Sequence, residues 1–238
     1  MKTNKLLAAT LAIFVSVGAY AQTVDEIVAK HITALGGQDK LNGVKTVMTD
    51  RSLSVKGMDI PNITTIVVGK SMRNESTVMG NSMVQVIDGN TGWMIRPAMM
   101  GGTGDPEDMP ADVMKQSMSQ LSPFGVLVDY KNNGTNVELV GKEQIDKKDV
   151  YHLRVTPKDG QAIDEYLDAT TYLVSKVKTS VGGVDGEIIF SDYEDVDGVK
   201  FPETMEIVGG QMGTLTFTTN KIVVNGPINE AIFKKPAK

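Results

Sequence analysis

Residues 86–97 read VIDGNTGWMIRP, and they contain the most informative pattern in the chain. Two short runs rich in strand-forming residues flank Asp88-Gly89-Asn90, which is a strong turn signal. The connection is too short to contain a crossover helix, so the two runs can pair only as antiparallel strands. This hairpin predicts a mainly β fold.

The same pattern of short apolar strands and tight turns extends over most of the chain after Val44. Some runs alternate strictly: Leu215 and Phe217 fall on one face of their strand, and threonines fall on the other. The turns leave no room for crossover helices, so the sequence predicts antiparallel meanders in one large curved sheet or barrel of about 11–12 strands. The candidate strands are residues 44–56, 60–69, 72–79, 83–88, 92–96, 136–145, 150–156, 162–168, 172–180, 185–193, 200–208 and 212–224. The other candidate turns are Lys56-Gly57, Asp159-Gly160, Gly182-Gly183, Asp197-Gly198 and Gly209-Gly210.

One helical segment precedes these strands. Thr23 and Glu26 have the spacing of a capping box, and the apolar residues that follow recur at helical spacing. Gly36-Gly37 is a C-terminal stop signal. We therefore expect an amphipathic helix that buries one stripe of residues: Val24, Ile27, Val28, His31, Ile32 and Leu35.

Residues 97–130 interrupt the strand pattern. The first part has the Pro, Gly and Asp of a loop, but it also contains three methionines. Pro110 then begins a helix in which Met114, Met118 and Leu121 share a face. We expect this segment to form a mobile flap over one opening of the sheet, within a single domain that comprises residues 22–238.

Residues 1–21 have the pattern of a secretory signal peptide. Lys2 and Lys5 precede an apolar run that is too short to span a bilayer well, and Ala19-Tyr20-Ala21 forms a cleavage site. A retained membrane anchor is the alternative. We expect cleavage before Gln22 and a mature protein that is free in solution in the periplasm.

Composition excludes some classes of partner. The 24 basic and 29 acidic residues give a formal net charge of −5, which becomes −7 when Lys2 and Lys5 are removed. Nucleic acid binding needs a basic face, so we expect no nucleic acid partner. The chain has no cysteine, and in an oxidising compartment its stability must come from packing alone.

The sequence contains no recognisable catalytic or metal-binding motif. His31 and His152 are the only histidines, and their positions in the pattern favour structural roles. No nucleophile elbow is present, so a Ser-His-Asp triad has little support. We therefore expect no enzymatic activity, no cofactor and no metal. A calcium site at Asp192, Asp195 and Asp197 is an alternative that the turn signal of Asp197-Gly198 disfavours.

Methionine is the unusual component, with 14 residues concentrated in the early strands and the flap. Methionine side chains are flexible and polarizable, and they suit surfaces that bind variable apolar shapes. Ordinary core filling is the alternative interpretation. The candidate residues for a hydrophobic ligand site are Trp93, Ile95, Met99, Met100, Met114, Met118, Leu121, Phe124 and Leu127.

Residues 86–97 resemble the strand, Asp-Gly turn, Trp-bearing strand and proline of the outer-membrane lipoprotein carrier family, the LolA-like proteins. Nearly the whole chain after residue 21 is also similar to the outer membrane lipoprotein-sorting proteins of Bacteroidota and related bacteria. The further segments that carry this resemblance are residues 27–31 with 35–37 (IVAKH and LGG), 137–143 (VELVGKE), and 192–193 with 197–202 (DY and DGVKFP).

The resemblance implies an unclosed antiparallel β-barrel whose concave apolar face is covered by helices and receives lipoprotein acyl chains in the periplasm. Carriers of this kind often have an Arg-Pro pair at the end of the third strand, where the arginine latches the lid. The matching residues here, 68–73, read VGKSMR and lack that pair. Lys70 and Arg73 are the candidate substitutes for the latch.

Three functions remain open from the sequence. The leading hypothesis is a periplasmic carrier, expected to be a monomer, that binds a lipoprotein or another lipid-like ligand and exchanges it with membrane-bound donor and acceptor proteins. The second is a sensor or adaptor of the same fold that regulates a membrane partner. The third is an enzyme that acts on envelope polymers, for which no Asp or Glu stands out as catalytic.

Overall fold

The computed structural model describes residues 22–158, 160–181, 184–209 and 213–236. The predicted signal peptide lies outside the described residues, as do parts of three predicted turns, at Asp159, Gly182-Gly183 and Gly210. The α-helices are α1 (Val24–Leu35), α2 (Gln38–Gly43) and α3 (Ala111–Ser117). Short 3-10 helices cover Ala98–Met100, Met118–Leu121 and Glu230–Phe233. The strands are β1 (Thr46–Val55), β2 (Met58–Val67), β3 (Ser71–Val78), β4 (Asn81–Asp88), β5 (Thr91–Ile95), β6 (Pro106–Asp108), β7 (Asn136–Ile145), β8 (Lys148–Thr156), β9 (Ile163–Asp168), β10 (Val174–Val181), β11 (Val184–Val196), β12 (Val199–Val208) and β13 (Leu215–Val224).

The thirteen strands form one antiparallel sheet that does not close, which confirms the predicted mainly β, unclosed barrel. The hairpin of residues 86–97 pairs Val86 with Trp93 and Asp88 with Thr91. Strand β6, within the expected loop, has no counterpart among the candidate strands. Its Pro106 lacks a backbone donor, which suits an edge strand.

The order of the strands is β6-β5-β4-β3-β2-β1-β13-β12-β11-β10-β9-β8-β7. The first strand therefore pairs with the last strand in the middle of the sheet, with Val47 opposite Val224. Strands β6 and β7 are the two edges, although they are neighbours in sequence. The segment between them must pass from one edge to the other, and it does so across the face on which α1 packs, which we call the concave face.

Helix α1 forms as its sequence predicts. Thr23 and Glu26 make both hydrogen bonds of a capping box, at 3.0 and 3.2 Å. The helix ends where Gly36 adopts a φ of +130° and the Gly37 N–H donates to the Ile32 carbonyl at 2.9 Å. The residues that it buries against the sheet are Ile27, Val28, His31 and Leu35. None of the helices in the described part of the chain has the length and hydropathy needed to cross a membrane.

The flap is packed against the concave face and is part of the core there. Leu121 lies in a cluster with Met72 and Ile87, and the Gly69 N–H donates to its carbonyl at 3.0 Å. Leu127 packs in the cluster that contains Ile27 and Val28 of α1. Both flap leucines are buried, with 5% and 1% of their surface exposed.

The prediction that Met114, Met118 and Leu121 share one helical face is wrong for Met118. Helix α3 ends at Ser117, and the chain tightens into a 3-10 helix from Met118 to Leu121. Side chains three residues apart stack in line in a 3-10 helix, yet Met118 and Leu121 differ in burial and do not form one buried face. Met118 is 39% exposed while Leu121 is buried.

Candidate hydrophobic ligand site

Two rows of side chains run from strand to strand across the concave face. They extend beyond the buried clusters. Residues directly opposite one another on antiparallel strands share a face. The first row crosses β8 to β13 and consists of Leu153, Glu165, Val177, Ile188, Ile207 and Leu215. The second row crosses β11, β12, β13, β1 and β2 and consists of Phe190, Met205, Phe217, Leu53 and Ile60. Leu153 packs in the cluster that contains Ile27 and Val28 of α1, which places the first row on the concave face.

Most of this surface is apolar and only half-buried. We call it the open strip: Leu53, Val177, Ile188, Phe190, Met205, Ile207, Leu215 and Phe217. None of these residues belongs to the four hydrophobic clusters found among the described residues. The opposite, convex face of the same strands is charged, with Lys176 and Lys178 both paired to Glu187. A continuous apolar surface beside the core clusters is the kind of surface that binds an apolar partner.

A polar row borders the open strip on the concave face. It consists of Thr219, Arg51, Asn62 and Ser76, which lie opposite one another on β13, β1, β2 and β3. The Asn62 amide donates to the Ser76 hydroxyl at 2.9 Å and to the Asn74 carbonyl oxygen at 3.1 Å. These bonds fix the Asn62 amide, and the row separates the open strip from the apolar cluster of Met72 and Leu121.

Arg51 is the one cation in this polar row. Its Nε donates to the Thr219 hydroxyl at 3.3 Å, and no carboxylate among the described residues pairs with it. Burial lowers the pKa of its guanidinium below the ordinary value. An arginine nevertheless stays charged at neutral pH and has further N–H donors to offer.

Glu165 is a buried carboxyl in the first row, between Leu153 and Val177. Only 5% of its surface is exposed, and burial raises its pKa to about 7. Its charge also helps to raise the pKa of the Tyr193 hydroxyl, which burial raises most and which donates to the Val174 carbonyl at 2.8 Å. The acid therefore titrates near neutrality on the concave face.

Four of the candidate residues from the flap lie on the concave face, but they contact the core and not the open strip. Leu121 and Leu127 are buried in two different clusters. Met114 is half-buried against the cluster of Leu121. Phe124 packs against Phe201, with 5.8 Å between the ring centroids.

The other five candidates lie elsewhere. Met99, Met100 and Met118 are exposed, by 61%, 43% and 39%. Trp93 and Ile95 point to the convex face, where they pack with the C-terminal segment. The Trp93 Nε1 donates to the Phe233 carbonyl at 2.8 Å. The structure therefore does not bring the nine residues together in one lining.

Sequence reasoning missed most of the open strip, although a signal for it was present. Alternation of apolar and polar residues was recognised at Leu215 and Phe217, and the same alternation occurs at Met205 and Ile207 on the neighbouring strand. Two adjacent alternating strands indicate a shared apolar face. Methionine content pointed to the flap instead.

The two candidate latch residues contact the C-terminal segment and not the flap. Lys70 pairs with Glu230 at 3.3 Å. Arg73 pairs with Glu75 at 2.7 Å, donates to the Ile232 carbonyl at 3.1 Å and lies over the Trp93 ring. Both residues stabilise the convex face.

A separate pocket lies on that convex face. It has a volume of about 280 Å³ and lies between β1, β2, β13 and the C-terminal segment. Its lining mixes apolar and polar side chains: Thr46, Met48, Thr65, Val223, Pro227, Ile228, Asn229 and Ile232. It is on the opposite side of the sheet from the open strip.

The histidines and the aspartate cluster have structural contacts. The His31 Nδ1 lies 2.8 Å from the Tyr172 carbonyl oxygen, and burial lowers the pKa of the ring. His152 lies on the convex face between Glu143 and Asp164. Asp195 accepts a hydrogen bond from the Gly198 N–H at 2.8 Å, within the turn between β11 and β12. The described residues contain no group of three potential metal ligands.

Comparison with solved structures identifies the fold. An outer membrane lipoprotein-sorting protein domain from Vibrio parahaemolyticus matches with a TM-score of 0.56 and 16% identity, over 88% of this chain and 95% of that one. A LolA superfamily protein from Nitrosomonas europaea matches with a TM-score of 0.61 and 13% identity, over 90% and 99%. A DUF1329 family protein from Desulfovibrio piger matches with a TM-score of 0.59 and 15% identity, over 89% and 97%. No family model and no curated protein matches the sequence. The chain therefore shares the fold of these three proteins, an unclosed antiparallel barrel with an N-terminal helix.

Proposed function

We propose that the protein is a periplasmic binding and carrier protein for a hydrophobic ligand, held on the open strip. The observation that carries this proposal is the continuous half-buried apolar surface on the concave face, outside the core clusters. Burial of such a surface contributes about 25 cal/mol per Å² of apolar area removed from water. The likeness of the fold to a lipoprotein-sorting domain supports the same reading.

The finer proposal is that the ligand is the acyl portion of an outer-membrane lipoprotein. Such a carrier takes its load from one membrane-bound protein, delivers it to another, and catalyses no reaction. Residues 1–21 support export to the periplasm. Native mass spectrometry of the protein purified from the periplasm should show bound lipid or lipoprotein. A stable protein partner in place of lipid would favour a sensor or adaptor.

Adjacent residues on β11 provide the test of the site. Ile188 belongs to the open strip, while Ile189 lies opposite Glu206 on the convex face, and both are half-buried. Binding is measured with N-phenyl-1-naphthylamine, an uncharged dye whose emission rises in apolar surroundings. Ile188→Gln should weaken binding by about tenfold, because it removes apolar contact and leaves an amide to be desolvated.

Ile189→Gln is the matched control and should bind the dye like the wild type. The proposal is wrong if the wild type does not bind the dye, or if both variants weaken binding equally. Unfolding curves of the two variants check that neither change acts through global stability.

A further inference from the structure

We propose that Arg51 is the head-group site for an acidic amphiphile, that is, a carboxylate or phosphate oxyanion attached to a hydrocarbon chain that lies along the open strip. This inference rests on the proposed function, because it assigns the class of ligand to the same concave surface.

The first argument is the position of Arg51. It precedes Leu53 by two residues on β1, so the two side chains lie on the same face and about 7 Å apart along the strand. Leu53 lies opposite Phe217, which belongs to the second apolar row. A chain that lies on that row and ends at Leu53 would have its head beside the guanidinium.

The second argument is the unbalanced charge. A charge removed from water is normally paired, because its desolvation is costly. Arg51 is partly buried, yet its one hydrogen bond to a described residue is to the Thr219 hydroxyl. The convex face offers a contrast, since Arg154 there pairs with Asp164 at 3.2 Å.

The third argument is access. Among the described residues, every side-chain nitrogen or oxygen that is sealed from solvent has a hydrogen-bond partner. The remaining N–H groups of Arg51 therefore reach space that a ligand can enter. Asn62 is held by Ser76 and Asn74, so the amide beside Arg51 is preorganised. A planar guanidinium with free donors suits bidentate binding of an oxyanion.

The experiment compares laurate with dodecanol, which have the same chain length and differ in the charge of the head. The affinity of each compound is measured by its displacement of N-phenyl-1-naphthylamine from the purified protein at pH 8. The wild type should bind laurate about tenfold more tightly than dodecanol, the effect expected of one charge-assisted hydrogen bond. Arg51→Met should bind the two equally, because it removes the charge that distinguishes the two heads.

Arg154→Met is the control, and it should keep the preference for laurate. Equal binding of laurate and dodecanol by the wild type would overturn the head-group assignment while leaving the carrier function intact. Failure of the wild type to bind either compound would instead refute the proposed function. A preference that persists in Arg51→Met would also overturn the assignment, since another cation would then be responsible.

Two further measurements need only the wild type. Inorganic phosphate alone should not displace the dye at millimolar concentration. Displacement would indicate a site for free anions and would contradict the assignment of an amphiphile as the ligand. In ¹³C NMR of carboxyl-labelled laurate, the pKa of the bound head should lie below that of the free acid, because a neighbouring cation favours the ionised form. A bound head that titrates at or above the free value would contradict the contact with Arg51.

Discussion

Gly36 is a position where backbone conformation and packing both exclude a side chain. Its φ is +130°, and a Cβ built there would collide with the carbonyl oxygen of Gly198, in the turn between β11 and β12. Gly37 also has a positive φ, of +91°, which would strain any other residue, but a Cβ there meets nothing within 4 Å. We predict that Gly36→Ala lowers the free energy of unfolding by about 3 kcal/mol, against about 1 kcal/mol for Gly37→Ala. Urea denaturation of both variants measures the difference, and equal losses would show that contact with Gly198 is unimportant.

Glu165 should make the stability of the protein depend on pH. Burial raises its pKa to about 7 from the ordinary value of 4.5, so between these values the folded state binds more protons than the unfolded state. Stability therefore falls as pH rises through that window, and the loss is complete above pH 7. We predict that Glu165→Gln stabilises the protein by up to about 3 kcal/mol at pH 8 and by little at pH 4, measured by urea denaturation.

Glu187 provides a control of opposite sign. A hydrogen bond from Lys176 lowers the pKa of this carboxyl on the convex face. Its contribution to stability is therefore present at pH 8 and lost in acid, so Glu187→Gln should destabilise at pH 8. If Glu165→Gln also destabilised at pH 8, Glu165 would have a stabilising partner that burial alone does not provide.

At the scale of elements, the C-terminal segment holds the convex face of β4 and β5. Phe233 is buried with Val84, Val86 and Trp93. We predict that Phe233→Ala costs about 3–4 kcal/mol, because it leaves a cavity in this cluster. It should also shift the emission of Trp93, the single tryptophan of the chain, to longer wavelength.

Met99→Ala is the control, since Met99 is 61% exposed and the change should leave both stability and emission unaltered. Unchanged emission in Phe233→Ala would mean that Trp93 is not covered by this segment. Because Trp93 faces away from the open strip, its emission should respond far less to ligand than to this substitution.

The flap should behave as core in its buried part and as surface elsewhere. Leu127 is 1% exposed and packs with α1, so we predict that Leu127→Ala lowers the free energy of unfolding by about 2–5 kcal/mol. Met118 is 39% exposed, and Met118→Lys should change it by less than about 0.5 kcal/mol. Chemical denaturation of both variants tests this. A large loss of unfolding free energy in Met118→Lys would support the sequence-based prediction that Met118 shares a buried face with Leu121.

At the scale of the whole molecule, local signals were enough to predict every strand except β6. Turns such as Lys56-Gly57 and Asp197-Gly198 have the residues that positive φ values require, and the strands on either side follow directly. The capping box of α1 was predictable for the same reason, because the four residues Thr23–Glu26 contain all of its chemistry.

The candidate site was less predictable because it depends on which face of the sheet is covered. Periodicity shows that Trp93 and Met94 point to opposite faces, but it does not show which face the flap covers. The pairing of β1 with β13 joins residues 177 positions apart in sequence at Val47 and Val224, and no local pattern indicates it. Only that pairing brings Thr219 beside Arg51.

The same central pairing limits when the protein can fold. A chain that emerges amino end first, from a ribosome or through a narrow pore, presents β1 long before β13 exists. Until the last strand arrives, β1 has only β2 beside it, and the half-sheets β1–β6 and β7–β12 have no strand to join them. Closing so long a loop is slow, because its entropy must be lost before the contacts form. The two half-sheets can therefore be joined only after β13 has emerged.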